Sequence, residues 1–272
     1  MSESSVLAPT IGMWDKIHVC DPSVVQGSFK LDNISYSYAM FYTGSADPNS
    51  NGTENEIGVA FSNNLTTWKK FPFQIIKKNC TSCWGVGQPT VTSVDGLGNV
   101  LLFFTRGSSA KTSMKAVQLN LTMLSSSSSN IKVVKPEWEL PTSGLNLGVN
   151  GNISSLAGAD LMYDSSKDRF YMAWGSKFDS NAPAWVSNTL TISYISGSEL
   201  WSGIGTWRNL NIISPSLSGT VKNFDAGFTR NFFGGVTSSS SIRVNSSATT
   251  SGTWPSILWT YRMRGNIGII TE

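Results

Sequence analysis

The sequence predicts an all-β protein, a β-propeller of four-stranded antiparallel blades. Three observations predict it. Charged residues are few, at 14%, while aromatics reach 11% with 10 Trp, and the balance is made up by Ser, Thr, Asn and Gly. That composition suits short aromatic-bearing strands joined by many turns. Helical periodicity is sustained nowhere. Above all, a strand pattern recurs four times at steps of about 66–71 residues, the signature of a repeat architecture.

The first unit opens at Asp21 with DPSVVQGSFKLDNISYSYAMFYTGS and continues with EIGVAFSNNLTTWKKF. The second opens at Gln88 with QPTVTSVDGLGNVLLFFTRGS and continues with SMKAVQLN. The third opens at Ala159 with ADLMYDSSKDRFYMAWGSK and continues with LTISYISGSELWSGIGTWRNL. The fourth opens at Asp225 with DAGFTRNFFGG, followed by SILWTYR and NIGIITE. In each, a polar residue opens a short strand, and a turn rich in Asp, Asn, Gly and Lys follows. A second, aromatic strand comes next (YAMFYTG, VLLFFTRG, FYMAWGS, ILWTYR), then a third of small and apolar residues. In two units a Trp marks a fourth, edge-like strand, TTWKKF and GTWRNL. Four short antiparallel strands at fixed period describe a propeller blade. A β-sandwich does not normally repeat strand by strand, and the step is too long for a β-helix coil.

The chain is expected to form one propeller domain over residues 1–272. Four blades are visible as repeats; the expected ring has five, one missing or incomplete, or else closes with four. Residues 1–20, with SVLAPTIGMWDKIH resembling TTWKKFPFQIIKK, are expected to supply a closing strand that completes the last blade and removes an open edge.

Composition also excludes function classes. The net charge of +3 comes from scattered Lys and Arg without a basic run, so no nucleic-acid partner is expected. No apolar run approaches the roughly 18 residues of a membrane helix, so no membrane partner is expected. MSESSVLAPTIG lacks the charged start and apolar stretch of a signal peptide, yet the polar, lysine-poor composition favours an extracytoplasmic or secreted location. Asn-X-Ser/Thr sequons occur at Asn33, Asn51, Asn64, Asn79, Asn120, Asn152 and Asn245, against about five by chance in so Ser/Thr-rich a chain. A monomer is expected.

The first strand of each propeller blade lines the central channel, so residues that open these strands are candidates for chemistry. They are Asp21, Gln88, Asp160 and Asp225, three carboxylates from only 17 acidic residues. The other acids fall mostly in turns, as at Asp32, Asp95, Asp164 and Asp168, where Asp is ordinary. Glycosidic cleavage needs one carboxylic acid to protonate the leaving oxygen and one carboxylate to activate water or attack. A third carboxylate nearby would raise the acid's pKa by like-charge repulsion. With one histidine, a Ser-His-Asp or Cys-His site would have to use His18, and no nucleophile-elbow pattern is present.

DPSVV with YAMFYTG and IGVAFSNNLTTWKK, then GQPTVTSVDGLGNVLLFFT, then ADLMYDSSKDRFYMAWGS, resemble the five-bladed propeller glycoside hydrolases, most of all family 43 and its relatives in families 62, 32, 68, 117 and 130. The resemblance implies glycoside hydrolysis of a polysaccharide or oligosaccharide. It implies Asp21 as general base, Asp160 as the carboxylate that orients and tunes the acid, and Asp225 as general acid. The spacing agrees in order, a long step of 139 residues and then a short one of 65. The chain departs from the family pattern in having Asp225 where a Glu is usual. A non-catalytic, lectin-like propeller is the alternative, and a protein-interaction propeller a third.

Further candidates for contact with sugar are Trp14 and Trp84, which precede first strands and present rings for stacking, and Gln88, His18, Arg106 and Arg230, which offer hydrogen bonds. Each has a plainer account: blade packing for the tryptophans, a satisfied amide for Gln88, a loop histidine for His18 and blade-edge arginines for the last two. No cofactor is required, although a Ca2+ ion in the channel is compatible with the fold. Cys20 beside His18, with Cys80-X-X-Cys83, invites a zinc reading, but the spacing is poor for one metal. A disulfide from Cys20 to Cys80 or Cys83 is the preferred expectation for an exported protein.

Overall fold

The structure is a computed structural model. It describes residues 5–48, 53–81, 83–107, 112–145, 147, 149–150, 153–154, 156, 158–178, 187–220, 222–249 and 263–270. The fold class is the all-β propeller, and four blades are present among the described residues.

The first blade runs β1 (His18–Leu31), β2 (Ile34–Ser45), β3 (Glu56–Ser62) and β4 (Lys69–Lys70) in sequential antiparallel order. β1 and β2 meet at the Leu31↔Ile34 pair, closed by Asp32 and Asn33 at φ of 52° and 64°. Positive φ at both central residues matches the right-handed twist of the strands, and Asp and Asn tolerate it. The second blade is β5 (Gly85–Ser93), β6 (Asn99–Gly107), β7 (Thr112–Asn120) and β8 (Lys132–Glu139). A two-stranded ribbon, β9 (Val149–Asn150) and β10 (Ile153–Ser154), precedes the third blade. That blade comprises β11 (Asp160–Asp164), β12 (Arg169–Phe178), β13 (Ser187–Ser196) and β14 (Arg208–Ile213). The fourth is β15 (Lys222–Phe228), β16 (Ser241–Thr249) and β17 (Met263–Ile270).

Two short helices punctuate the second half, α1 (Gly197–Ser202) and α2 (Pro215–Ser218). α1 forms because Ser196 caps it: its hydroxyl accepts the Glu199 N–H while Glu199 reaches back to the Ser196 N–H. Gly203 ends it at φ 74°.

The chain divides into two compact units. One comprises 1–110, 115–138 and 232–234; the other comprises 111–114, 139–231 and 235–272. The first has a core of alternate residues from its blades, including Val25, Phe29, Phe41, Val59, Phe61, Val91, Leu102 and Phe104. The second packs Met162, Tyr171, Ile192, Ile213, Phe228 and Val244. Burying one such side chain contributes about 1.5–3 kcal/mol, which outweighs what a strand's hydrogen bonds add singly.

Several expectations are corrected. Residues 5–17 contain no strand, and His18–Cys20 begin β1 rather than a closing strand. The N-terminal segment instead packs on the first blade. Trp14 stacks on Tyr42 at 5.8 Å, and Lys70 Nζ donates to Ala8 O (2.5 Å), Thr10 Oγ1 (3.0 Å) and the buried carboxylate of Asp15 (2.5 Å). A buried carboxylate needs such a partner to offset its lost hydration. In the fourth blade the second strand is β16, SIRVNSSAT; the expected ILWTYR lies outside the described residues. β8, KVVKPEWE, was not anticipated. Finally, Cys80 pairs with Cys83 and Cys20 is a free thiol.

Candidate active site

Three of the four opening strands, β1, β5 and β15, share one local irregularity near their start. In β1 the register passes from Cys20↔Thr43 to Ser23↔Phe41, so Asp21 and Pro22 together face one residue of β2. In β5 it passes from Gly87↔Thr105 to Thr90↔Phe103, leaving Gln88 and Pro89 in the bulge. In β15 it passes from Phe224↔Ser247 to Gly227↔Asn245, leaving Asp225 and Ala226. Proline suits a bulge, because the interrupted ladder does not need its missing N–H.

The first bulge residue is left-handed in all three. Asp21, Gln88 and Asp225 have φ of 51°, 52° and 51°. For a residue with a Cβ that conformation costs on the order of 1–3 kcal/mol. In the third blade Gly158 has φ 60°, where glycine meets the demand at no steric cost.

This fixes the place of Asp160. It stands two residues after Gly158, as Ser23 stands two residues after Asp21. Its contacts agree. Ser23 Oγ accepts the N–H of Val91, three residues after Gln88, at 3.1 Å. Asp160 Oδ2 accepts the N–H of Phe228, three residues after Asp225, at 2.7 Å. Asp160 therefore staples its blade to the strand that carries Asp225, and does not occupy the left-handed position itself. Arg230 completes the staple: its Nη1 lies 3.3 Å from Asp160 Oδ1 and donates to Leu161 O at 3.2 Å.

In the first unit two separate hydrogen-bond chains hold five of the candidate residues, Cys20, Asp21 and Gln88 in one and His18 and Trp84 in the other. Asp21 is exposed, and its Oδ2 accepts from the Thr43 hydroxyl at 3.1 Å and the Cys20 thiol at 3.4 Å. Thr43 Oγ1 in turn accepts the Gln88 N–H at 2.8 Å. Burial pushes the Cys20 thiol up, and the adjacent Asp21 carboxylate adds to the shift. Gln88 Oε1 is buried and accepts no hydrogen bond from the described residues. The His18 ring, through Nε2, meets Asn55 Oδ1 at 3.1 Å, and Asn55 Nδ2 donates to Trp84 O at 2.9 Å. Thr43 and Asn55 were not foreseen. Both sit inside strand or loop patterns where Thr and Asn are unremarkable, and only the register and the bulges bring them to this point.

The remaining candidates have structural partners. Trp14 lies across Gly44 and Gly58, where any Cβ would fall 2.7 Å and 2.6 Å from its ring. Its role is to cover the first blade. Trp84 is half-buried over Gly87 and Gly107. Arg106 makes two hydrogen bonds to Glu137, at 2.9 Å and 2.6 Å, and one to Lys77 O at 3.3 Å. The forked geometry is the strong form of this pair and ties β6 to β8. Among the described residues no group of three or more His, Cys, Asp or Glu is arranged to hold a metal ion.

No protein-family model matches the chain, and neither does any curated protein. Solved structures do. An exo-β-1,3-galactanase from Phanerochaete chrysosporium, determined with galactose, superposes with a TM-score of 0.53 at 13% identity over 93% of this chain and 48% of that one. A glycosyl hydrolase from Bacteroides ovatus gives 0.51 at 11% identity over 89% and 68%. An N-acetylgalactosamine deacetylase from F. plautii, in complex with blood group B trisaccharide, gives 0.56 at 10% identity over 91% and 67%. The chain spans about half the length of the galactanase. At such identities the likeness speaks for the fold alone, since one fold hosts many activities. The chain thus shares the propeller fold of these glycoside hydrolases and of a carbohydrate deacetylase.

Proposed function

We propose that the protein cleaves glycosidic bonds of an oligosaccharide or polysaccharide, with Asp21 as general base and Asp225 as general acid. One observation carries this reading: polar side chains are retained in left-handed backbone at the bulges of three opening strands, while the third blade has left-handed Gly158 just before its regular β11. Strain that glycine would relieve persists where the side chain has work to do. The glycoside hydrolases among the fold's relatives supply the chemistry such carboxylates serve. A base takes a proton from water as its oxygen attacks the anomeric carbon, and an acid gives a proton to the departing oxygen. Asp160 enters as a positioning residue, holding the β15 backbone three residues beyond Asp225.

The test is turnover of a panel of aryl glycosides and polysaccharides by the wild type, Asp21→Asn and Asp225→Asn. General acid or base catalysis contributes roughly 10²–10⁴-fold, so each substitution is expected to lower kcat by at least about a hundredfold in a folded protein. Sugar binding by calorimetry without turnover, unaffected by Asp225→Asn, would establish the lectin-like alternative instead.

A further inference from the structure

Thr43 is buried, 1% exposed, and has one hydroxyl proton to give. The Gln88 N–H can only donate, and it donates to Thr43 Oγ1 at 2.8 Å. The hydroxyl proton is therefore left for Asp21 Oδ2, 3.1 Å away. Cys20, the cross-strand partner of Thr43, donates its thiol to the same oxygen at 3.4 Å. One carboxylate oxygen is thus occupied twice, while Oδ1 has no partner among the described residues and Asp21 is exposed.

The device recurs. Counting two residues along the second strand from the partner of the first post-bulge pair reaches Thr43 in the first blade, Thr105 in the second and Ser247 in the fourth. The same count in the third blade, from the Asp160↔Ala173 pair, reaches Gly175. A hydroxyl stands opposite the bulge where the left-handed residue is polar, and not in the blade where that residue is Gly158. Gly87 is needed for the close approach: a Cβ there would fall 2.8 Å from both Thr43 Oγ1 and Cγ2.

We infer that Thr43 is a positioning residue that fixes which oxygen of Asp21 does the chemistry. This rests on the hydrolase reading. Oδ2 is the anchored oxygen, held by Thr43 and Cys20 and tied through Thr43 to the Gln88 backbone. Oδ1 is the atom that takes the proton of the attacking water. In that step the water oxygen bonds to the anomeric carbon, one water proton passes to Oδ1, and the glycosidic C–O bond breaks as the leaving oxygen receives the acid's proton.

Thr43→Val removes the hydroxyl at nearly constant shape, and Thr43→Ser keeps it. Two measurements are made on the full chain. Amide hydrogen exchange at Gln88, read by NMR, should accelerate roughly tenfold in Thr43→Val and match the wild type in Thr43→Ser. With an aryl glycoside that the wild type turns over, Thr43→Val should lose about tenfold or more in kcat with KM nearly unchanged, and Thr43→Ser should recover it. Unchanged Gln88 exchange in Thr43→Val overturns the bridge. Unchanged kcat, or equal losses in the Val and Ser variants, overturns the positioning role. If the wild type turns over nothing, the hydrolase reading and the proton assignment fall together, while the exchange result still decides whether Thr43 joins Asp21 to Gln88.

Discussion

Backbone strain at Asp21 can be weighed with two substitutions at one position. Asp21→Ala and Asp21→Gly both remove the acceptor used by Thr43 and Cys20, so those losses cancel when the variants are compared with each other. What remains is φ 51°. A Cβ in the left-handed region costs about 1–2 kcal/mol, which Gly avoids. Against this, Gly frees the unfolded chain by about 0.5–1 kcal/mol. Asp21→Gly should therefore be more stable than Asp21→Ala by about 0.5–1 kcal/mol, the reverse of the ordinary order within a strand. With a urea m-value of roughly 2 kcal/mol/M, the midpoint by tryptophan fluorescence should be about 0.3–0.5 M higher for Gly. At Gly158, where φ is 60°, substitution by Ala should lower stability by about 1 kcal/mol. An Ala variant at 21 as stable as the Gly variant would refute the strain, and with it the claim that these side chains are kept against a structural cost.

Two further predictions address the second unit. Asp160→Asn keeps an acceptor for the Phe228 N–H and gives up the charge that faces Arg230, so a thermal melt should show a change of about 1 kcal/mol or less; Asp160→Leu orphans that N–H and should cost about 1–3 kcal/mol. Glu199 is held well below its ordinary value of 4.5, at about 2, chiefly by Arg208 and then by Ser196. Its folded pKa is depressed, so its contribution is complete above about pH 4.5 and is lost as pH falls through about 2. Melts from pH 5 to pH 2.5 should show a steeper decline for the wild type than for Glu199→Gln, and parallel curves would count against the assignment.

Much of the fold is written in the sequence because each blade repeats its polar opener, turn and apolar second strand. The blades at 21, 88 and 225 begin β1, β5 and β15 within a few residues of the reading, and the aromatic strands YAMFYTG and FYMAWGS fall in β2 and β12. The failures share a cause. β16 reads SIRVNSSAT, too polar to stand out beside ILWTYR, and β8 carries Lys132, Lys135 and Pro136, residues that protect an exposed edge and hide it from a propensity argument. Trp14 looked like a strand residue because TTWKK shares its Trp-polar-Lys pattern, yet the segment is held by the Asp15–Lys70 pair, which spans 55 residues. The sequence offers Cys80 and Cys83 as partners for the distant Cys20, whereas two intervening residues suffice to close them on each other.

The candidate site was legible as a list of residues and not as a geometry, and the third blade shows why. The repeat pattern pairs Asp160 with Asp21, because each is a carboxylate ahead of an apolar strand. Backbone conformation matches Gly158 to Asp21 and Asp160 to Ser23, a displacement of two residues that a reading of apolar runs does not register because the bulge at Asp21 interrupts the alternation. The displacement changes the chemistry assigned to the residue. At the Ser23 position a side chain accepts a backbone N–H from the following blade, and a carboxylate there, reinforced by Arg230, makes a charge-assisted version of the same staple. A third blade that has left-handed Gly158 just before β11 and glycine at position 175 has neither a strained polar residue nor a hydroxyl at these places. The two features occur together or not at all, which is the pattern expected if the hydroxyl exists to hold the strained side chain rather than to build the blade.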